Sequence, residues 1–179
     1  MLKKDAEFVW EEEQEEAMQR LKDALTTAPA LLPLDYSPDA GKVILAVDSS
    51  VTGFGGVLMQ LNDNNKRHPC RYESGLWTAA EKKYDIVKLE CRSLLHMLRK
   101  FRPWLYGIRF TVETDANTLV AQLNRTATDL PGALITRWLA WIRLWDFDVR
   151  HIPGKQNVVA DALSRVPWDE QFGLSLIHI

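Results

Sequence analysis

The segment KVILAVDSSVTGFGGVLMQ, residues 42–60, limits what this chain can fold into more than any other part. Two apolar runs flank a turn of small residues, and past Lys42 the segment holds a single charged side chain, Asp48. Val43–Val47 reads as a buried strand, because a run this short and this apolar has no wet face to offer. Gly53, Gly55 and Gly56 permit close backbone approach ahead of Val57, Leu58 and Met59, so a second strand is expected to fold back on the first. Asp48 then stands where the first strand ends.

The segments that follow alternate between two periods. LNDNNKRHP reads as a hairpin loop, with Arg71–Ser74 as a short third strand. Thr78-Ala-Ala-Glu81 matches a capping box and opens a long helix through YDIVKLECRSLLHMLRKF, with Pro103 ending the helical region. Val87, Leu94 and Leu98 mark one face of that helix, and Cys91 lies beside it. Glu90, three residues after Val87 and four before Leu94, therefore sits on or beside the buried face. Ile108–Thr114 alternates with period two and stops at Asp115. Asn117–Leu123 suits a short helix, NRTATDLPG a loop, and Ala133–Leu144 a helix with Trp138, Trp141 and Ile142 for packing. Trp145–Ile152 alternates again. Pro153 and Gly154 turn the chain, and Asn157 is the expected N-cap of a last helix that carries Asp161 and stops near Pro167. This order predicts an α/β domain, a mixed sheet with helices on its faces.

Ahead of that domain, Glu11–Leu25 has the spacing of a helix, with glutamates crowding its first turns where the helix field favours them. Thr26–Gly41, with three prolines, reads as a linker. The helix is either part of the same domain or the tail of a preceding one.

Composition excludes several classes. The net charge of -2 carries no global signal for nucleic acid, although it permits a local basic face. Two cysteines, Cys70 and Cys91, make neither a disulfide framework nor a metal cluster, so a reducing compartment is expected. No apolar run reaches the length of a membrane span, so no membrane partner is expected, and MLKKDAEFVWEEEQ lacks the apolar core of a signal peptide.

Asp48 and Asp115 each follow an apolar strand, and Glu90 and Asp161 each lie near an apolar helix face. Away from water an isolated carboxylate prefers to protonate, and gathered carboxylates repel. A divalent cation removes both penalties, and hard oxygen donors of this kind suit magnesium or manganese. Two such ions would activate a water and stabilise a leaving oxygen in phosphoryl displacement. Each carboxylate also has a plain structural reading: a cap or turn for Asp48 and Asp115, a paired or snorkelling glutamate for Glu90, and helix electrostatics for Asp161.

Five stretches carry a resemblance that bears on this choice: FVWEEEQEEAMQRLKDALTTAPAL, ILAVDSSVTGFGGVLMQ, AEKKYDIVKLECRSLLHML, FTVETDANTL and HIPGKQNVVADALSR. Together they resemble the ribonuclease H domain at the C-terminal end of Ty3/gypsy-type LTR retrotransposon reverse transcriptases. The resemblance implies a ribonuclease H-like α/β fold, a five-stranded mixed sheet flanked by helices. It implies that residues 1–41 end the polymerase connection region, that residues 42–166 are the nuclease, and that residues 167–179 are a tail outside the domain. It places four metal-binding catalytic carboxylates at Asp48, Glu90, Asp115 and Asp161, holding two Mg2+ ions or Mn2+. His151 resembles the histidine that assists proton transfer or product release in cellular relatives, and its bland reading is a neutral histidine closing a strand.

The implied substrate is an RNA/DNA hybrid, gripped through phosphates with 2'-hydroxyls reporting the RNA strand. Candidate contacts are Gly53 in the glycine-rich turn, Lys83 and Arg92 in the long-helix region, Asn117, Gln122 and Asn157. Lys82, Lys88, Arg99, Lys100 and the loop patch Lys66, Arg67 and His68 are further basic candidates, read equally well as solvated surface. The short interval between Asp115 and Asp161 leaves little room for a basic protrusion, so the polymerase portion of the same polyprotein is the expected partner in substrate grip. The implied location is a retrotransposon particle, cytoplasmic or nuclear. Tyr84-Asp85 does not make a polymerase site. Rival readings are a catalytically inactive module of the same fold and an integrase-type nuclease. The latter places its glutamate late in the chain, unlike Glu90.

Overall fold

In the computed structural model, which describes residues 11–27, 31–124 and 132–165, the apolar run after Lys42 forms strand β1 (Val43–Ser49). β2 (Gly53–Leu61) folds back antiparallel on it, with Val47 opposite Gly56 and Asp48 opposite Gly55. β3 (Arg67–Leu76) pairs antiparallel with β2. β4 (Phe110–Thr114) and β5 (Phe147–His151) add parallel on the other side of β1, so the sheet order is β3-β2-β1-β4-β5. This is the expected five-stranded mixed sheet. β1 is its central strand, which explains why its sequence is apolar on both faces.

β3 is longer than the expected Arg71–Ser74. It spans ten residues, keeping pace with β2 through a register shift at Leu58/Met59. As a half-exposed edge strand it carries charged and polar residues, so main-chain pairing sets its length and its side-chain pattern does not.

The capping box forms, but not on the long helix. Thr78 N–H and Oγ1–H donate to Glu81 Oε2, and Glu81 N–H donates back to Thr78 Oγ1. The turn it caps is a short 3-10 turn, Glu81–Lys83, and Tyr84 is then extended. The long helix α2 (Ile86–Lys100) starts later, its first turn capped by Asp85, which accepts from the Lys88 N–H. Pro103 does not end the helical region. It sits in the first turn of α3 (Arg102–Leu105), where a missing N–H costs nothing. α4 (Asn117–Asn124), α5 (Gly132–Ile142) and α6 (Val158–Ser164) complete the domain. Most of the NRTATDLPG loop, Pro167 and the expected tail lie outside the described residues.

Two adjacent glycines show how the layers are arranged. A Cβ on Gly56 would meet Met97 Sδ of α2 at 2.6 Å, and one on Gly55 would meet Leu163 Cβ of α6 at 2.5 Å. Neighbouring strand residues point to opposite faces, so α2 and α6 cover opposite faces of the sheet. On the α2 side the core joins Leu45, Leu58, Leu94, Leu98, Leu139 and Ile142, all fully buried.

The chain divides into two compact units, residues 1–32 and 33–179. In the first, α1 (Glu12–Thr27) carries acidic residues in its first turn and a Glu16–Arg20 pair at 2.9 Å along its surface. In the second, part of the expected linker is fixed to the sheet. Gln60 Nε2 donates to the carbonyls of Asp35 and Gly41, and Asp35 N–H donates to Gln60 Oε1. No helix among the described residues is long and apolar enough to cross a membrane.

Candidate active site

Asp48 lies near the end of β1, and Asp115 directly follows the last residue of β4. Because β1 and β4 are parallel neighbours, both carboxylates emerge at the same end of the sheet. Glu90 arrives from the first turns of α2, on the other face from α6. Asp48, Glu90 and Asp115 line one polar cavity of about 160 Å3, together with Ser93, Thr114 and Arg165. A larger cavity of about 520 Å3, walled by Tyr106, Trp141 and Trp145, lies where β4 and β5 begin, at the opposite end of the sheet, and is mostly apolar. Titratable groups converge on the smaller one.

The local electrostatics follow from burial and crowding. Burial is the main force pushing the Asp48 carboxyl up to about 6. The charges of Asp115 and Asp161 add to it, and a hydrogen bond from Ser164 opposes it. Ser164 Oγ donates to Asp48 Oδ2 at 2.7 Å. Glu90 is also pushed up, first by burial and then by Asp115, while Thr118 Oγ1 donates to its Oε2 at 2.6 Å and opposes the shift. Asp161, on α6, accepts from Arg165 Nε at 2.5 Å. Asp161 is not among the residues that line the cavity; its charge acts on Asp48, while Glu90 is linked to the group through Asp115.

Backbone contacts hold this end of the sheet in place. Ser93 Oγ on α2 donates to the Asp48 carbonyl at 2.9 Å, and Ser50 Oγ donates to the Ser164 carbonyl at 2.6 Å. A Cβ on Gly154 would stand 3.0 Å from Asp115 Oδ2, so the turn after β5 packs against that carboxylate.

As placed, no three His, Cys, Asp or Glu side chains among the described residues are gathered tightly enough to hold a metal ion. The donor set still fits a hard divalent cation: it is all carboxylate oxygen, and Asp48 is destabilised as an anion by its surroundings.

The other candidate residues are placed unevenly. His151 ends β5 beside Thr114 of β4 and is exposed, outside the cavity lining. Asn117 opens α4 and is exposed, and Lys83 is exposed on the 3-10 turn with Lys82. Gln122 is buried, its Oε1 without a hydrogen-bond partner among the described residues. Gly53 donates its N–H to Ser50 Oγ, so that amide is not offered to a phosphate. Asn157 is buried at 2% exposure. It makes no side-chain cap bond and instead donates from Nδ2 to the Val47 carbonyl, clamping α6 to β1. A substrate does not reach it there.

Most of the basic residues of the long helix are engaged. Arg92 bonds Glu81 at 2.7 Å and lies over Trp138, Lys88 pairs with Asp85, Arg99 lies over Trp141, and Lys100 bonds Glu73. In the loop patch, Arg67 forks onto the buried Glu113 at 2.6 and 2.9 Å. Sequence reasoning missed Ser93, Thr118, Ser164 and Arg165. Ser164 and Arg165 stand three and four residues after Asp161, one helical turn away, and that spacing was the available signal.

A central β1 flanked by an antiparallel hairpin and parallel β4, with carboxylates at the strand ends, defines the ribonuclease H-like class. Comparisons with known proteins agree. The family described as "RNase H-like domain found in reverse transcriptase" matches residues 10–112. The chain belongs to this family. It is 33% identical over 165 residues to the enzymatic polyprotein of carnation etched ring virus, covering 90% of this chain and 24% of that protein. It is 29% identical over 168 residues to the transposon Tf2-3 polyprotein of Schizosaccharomyces pombe, covering 93% of this chain and 12% of that one. Among solved structures, LC11-RNase H1, isolated from compost, aligns with TM-score 0.53 at 17% identity, covering 74% of this chain and 99% of that one. The same ribonuclease in complex with an RNA/DNA hybrid aligns with TM-score 0.50 at 17% identity, over 73% and 99% of the two chains. These structural likenesses establish the fold.

Proposed function

We propose that this chain hydrolyses the RNA strand of RNA/DNA hybrids, as the nuclease portion of a reverse-transcribing polyprotein. The observation that carries the reading is the convergence of Asp48, Glu90 and Asp115 on one polar cavity, with Asp161 in electrostatic reach. The four carboxylates would hold two divalent cations, Mg2+ or Mn2+, which supply an activated water and charge neutralisation at the scissile phosphate when bound. The chain's own residues do the rest. Ser164 and Thr118 orient the Asp48 and Glu90 carboxylates, and Ser93 and Asn157 fix the strand end that carries Asp48. His151, exposed beside β4, is a secondary candidate for assisting proton transfer or product release.

Lys66, Lys82, Lys83 and Asn117 are the exposed candidates left to meet phosphates or 2'-hydroxyls. The chain spans 24% and 12% of the two polyproteins, so the adjoining polymerase portion as a partner in grip, and a particle in the cytoplasm or nucleus as the location, are parts of this proposal. One observation favours the rival of an inactive module: Lys88, Arg92, Arg99 and Lys100 all engage neighbouring side chains, which leaves no lysine or arginine of α2 uncommitted.

The test is cleavage of a labelled RNA annealed to DNA, with Mg2+ and then Mn2+, beside Asp48→Asn. Metal-dependent cutting of RNA in the hybrid, absent with single-stranded RNA and in the variant, supports the reading. Full activity in folded Asp48→Asn overturns the site.

A further inference from the structure

Arg165 is the one cation that lines the carboxylate cavity among the described residues. It stands just past the end of α6, and its Nε reaches back one helical turn to Asp161 Oδ1 at 2.5 Å. An exposed pair of this spacing usually does little beyond trimming a helix end. Here the surroundings differ. Arg165 lines the same cavity as Asp48, Glu90 and Asp115, and its cationic form is stabilised first by the hydrogen bond and charge of Asp161 and then by the charges of Asp48 and Asp115.

The partners of the four carboxylates are not equivalent. Asp48 accepts from the Ser164 hydroxyl and Glu90 from the Thr118 hydroxyl, both neutral donors that leave a carboxylate's second oxygen and its charge available. Asp161 is instead bound by a full positive charge. A divalent cation that recruits Asp161 meets that charge at close range and has to displace it. Without a cation, the same guanidinium relieves the repulsion within the acidic group.

We propose that Arg165 is a built-in counter-ion of the site: it holds Asp161 and competes with the divalent cation for that carboxylate, so that loading the site requires the guanidinium to move away. This rests on the metal-binding reading above and deepens it by assigning Arg165 a positioning role that makes metal loading a displacement.

The experiment uses Mn2+ alone, titrated at pH 7 into the full chain, into Arg165→Gln and into Arg165→Lys, with free Mn2+ read by electron paramagnetic resonance. Circular dichroism checks that each protein is folded, which the 64% exposure of the Arg165 side chain favours. Arg165→Gln is expected to bind Mn2+ roughly three- to fivefold more tightly, the range an exposed ion pair supplies. Arg165→Lys, which keeps the charge, is expected to stay within about twofold of the parent. In a double-variant cycle, Asp161→Asn should abolish the effect of Arg165→Gln, because the competition is for that carboxylate. Equal or weaker Mn2+ binding by Arg165→Gln overturns this inference alone, as does an effect that persists without Asp161. Failure of every protein to bind Mn2+ overturns the proposed function and this inference with it.

Discussion

Ser164 on α6 donates to Asp48 at the end of β1 over 2.7 Å, joining two residues 116 positions apart. The bond favours the ionised carboxylate against the burial that raises its pKa to about 6. Ser164→Ala should therefore push Asp48 higher still and cost about 1 kcal/mol of stability. A carboxyl carbon NMR titration of Asp48 and a urea unfolding curve read the two effects separately. An unmoved Asp48 titration contradicts the role given to Ser164.

The Asp48 carboxylate is expected to weaken the fold that displays it. Its folded pKa of about 6 lies above the ordinary 3.8, so between these values the native state binds the proton more tightly. Stability then falls as pH rises through that window. The cost is absent below about 3.8 and complete above about 6. Asp48→Asn should stabilise the metal-free protein at pH 7 by on the order of 1–2 kcal/mol, and have little effect at pH 3.5. Mg2+ should raise the Tm of the parent more at pH 7 than at pH 5. Thermal melts across pH, with and without Mg2+, test both.

Glu81 sets an acid limb of the opposite sign. Burial alone would raise its pKa, but hydrogen bonds from His96, Arg92 and Thr78 outweigh this and hold it at about 2. His96 is itself held below its ordinary value by burial, despite the adjacent carboxylate. Both shifts are consistent with a neutral imidazole donating from Nε2 to Glu81 Oε1 over 3.0 Å. The contribution of Glu81 is fully present above the ordinary value of 4.5 and is lost as pH falls from there toward 2. Glu81→Gln should flatten that loss in acid denaturation while costing about 1–3 kcal/mol at pH 7.

Asn157 separates a helix cap from a clamp. An N-cap tolerates Asn→Asp readily. A side chain that must donate to the Val47 carbonyl does not, because a carboxylate has no proton to give. Asn157→Asp should destabilise by about 1–3 kcal/mol, measured by chemical denaturation. A neutral result would return Asn157 to the capping role.

Gly55 and Gly56 should differ although they are neighbours. Alanine at Gly56 meets the flexible end of Met97, whereas at Gly55 it meets Leu163 and the backbone of Ser164 at 2.7 Å. Gly55→Ala should cost more stability than Gly56→Ala, and it should impair metal binding more because it displaces the helix that carries Asp161. Parallel melts and Mn2+ titrations of the two variants give the ranking.

Much of this was readable beforehand because it depends on local repeats. The apolar run of β1, the period-two alternation of β4 and β5, and the buried stripe of Leu94 and Leu98 on α2 are each set within a few residues. The end of an apolar strand likewise marked Asp48 and Asp115. Where local signals failed, a distant partner had decided. The length of β3 came from pairing with β2, and the capping box of Thr78 and Glu81 closed a separate turn because Glu81 also binds Arg92 and His96. Arg92 and Asn157, both expected substrate contacts, instead bind Glu81 and the Val47 carbonyl.

The sequence by itself determined the order of the main strands and helices, since periodicity is a property of neighbouring residues, and it marked Asp48 and Asp115 at strand ends, while the resemblance to a known family supplied the set of four carboxylates. Only the tertiary structure decided which polar groups face one another. The bonds from Ser164 to Asp48, from Thr118 to Glu90 and from Asn157 to Val47 join distant segments, and Arg165 reaches the carboxylate cavity only because α6 packs across β1 and β2. Such contacts form because most buried polar groups pair with whatever partners the fold brings to them.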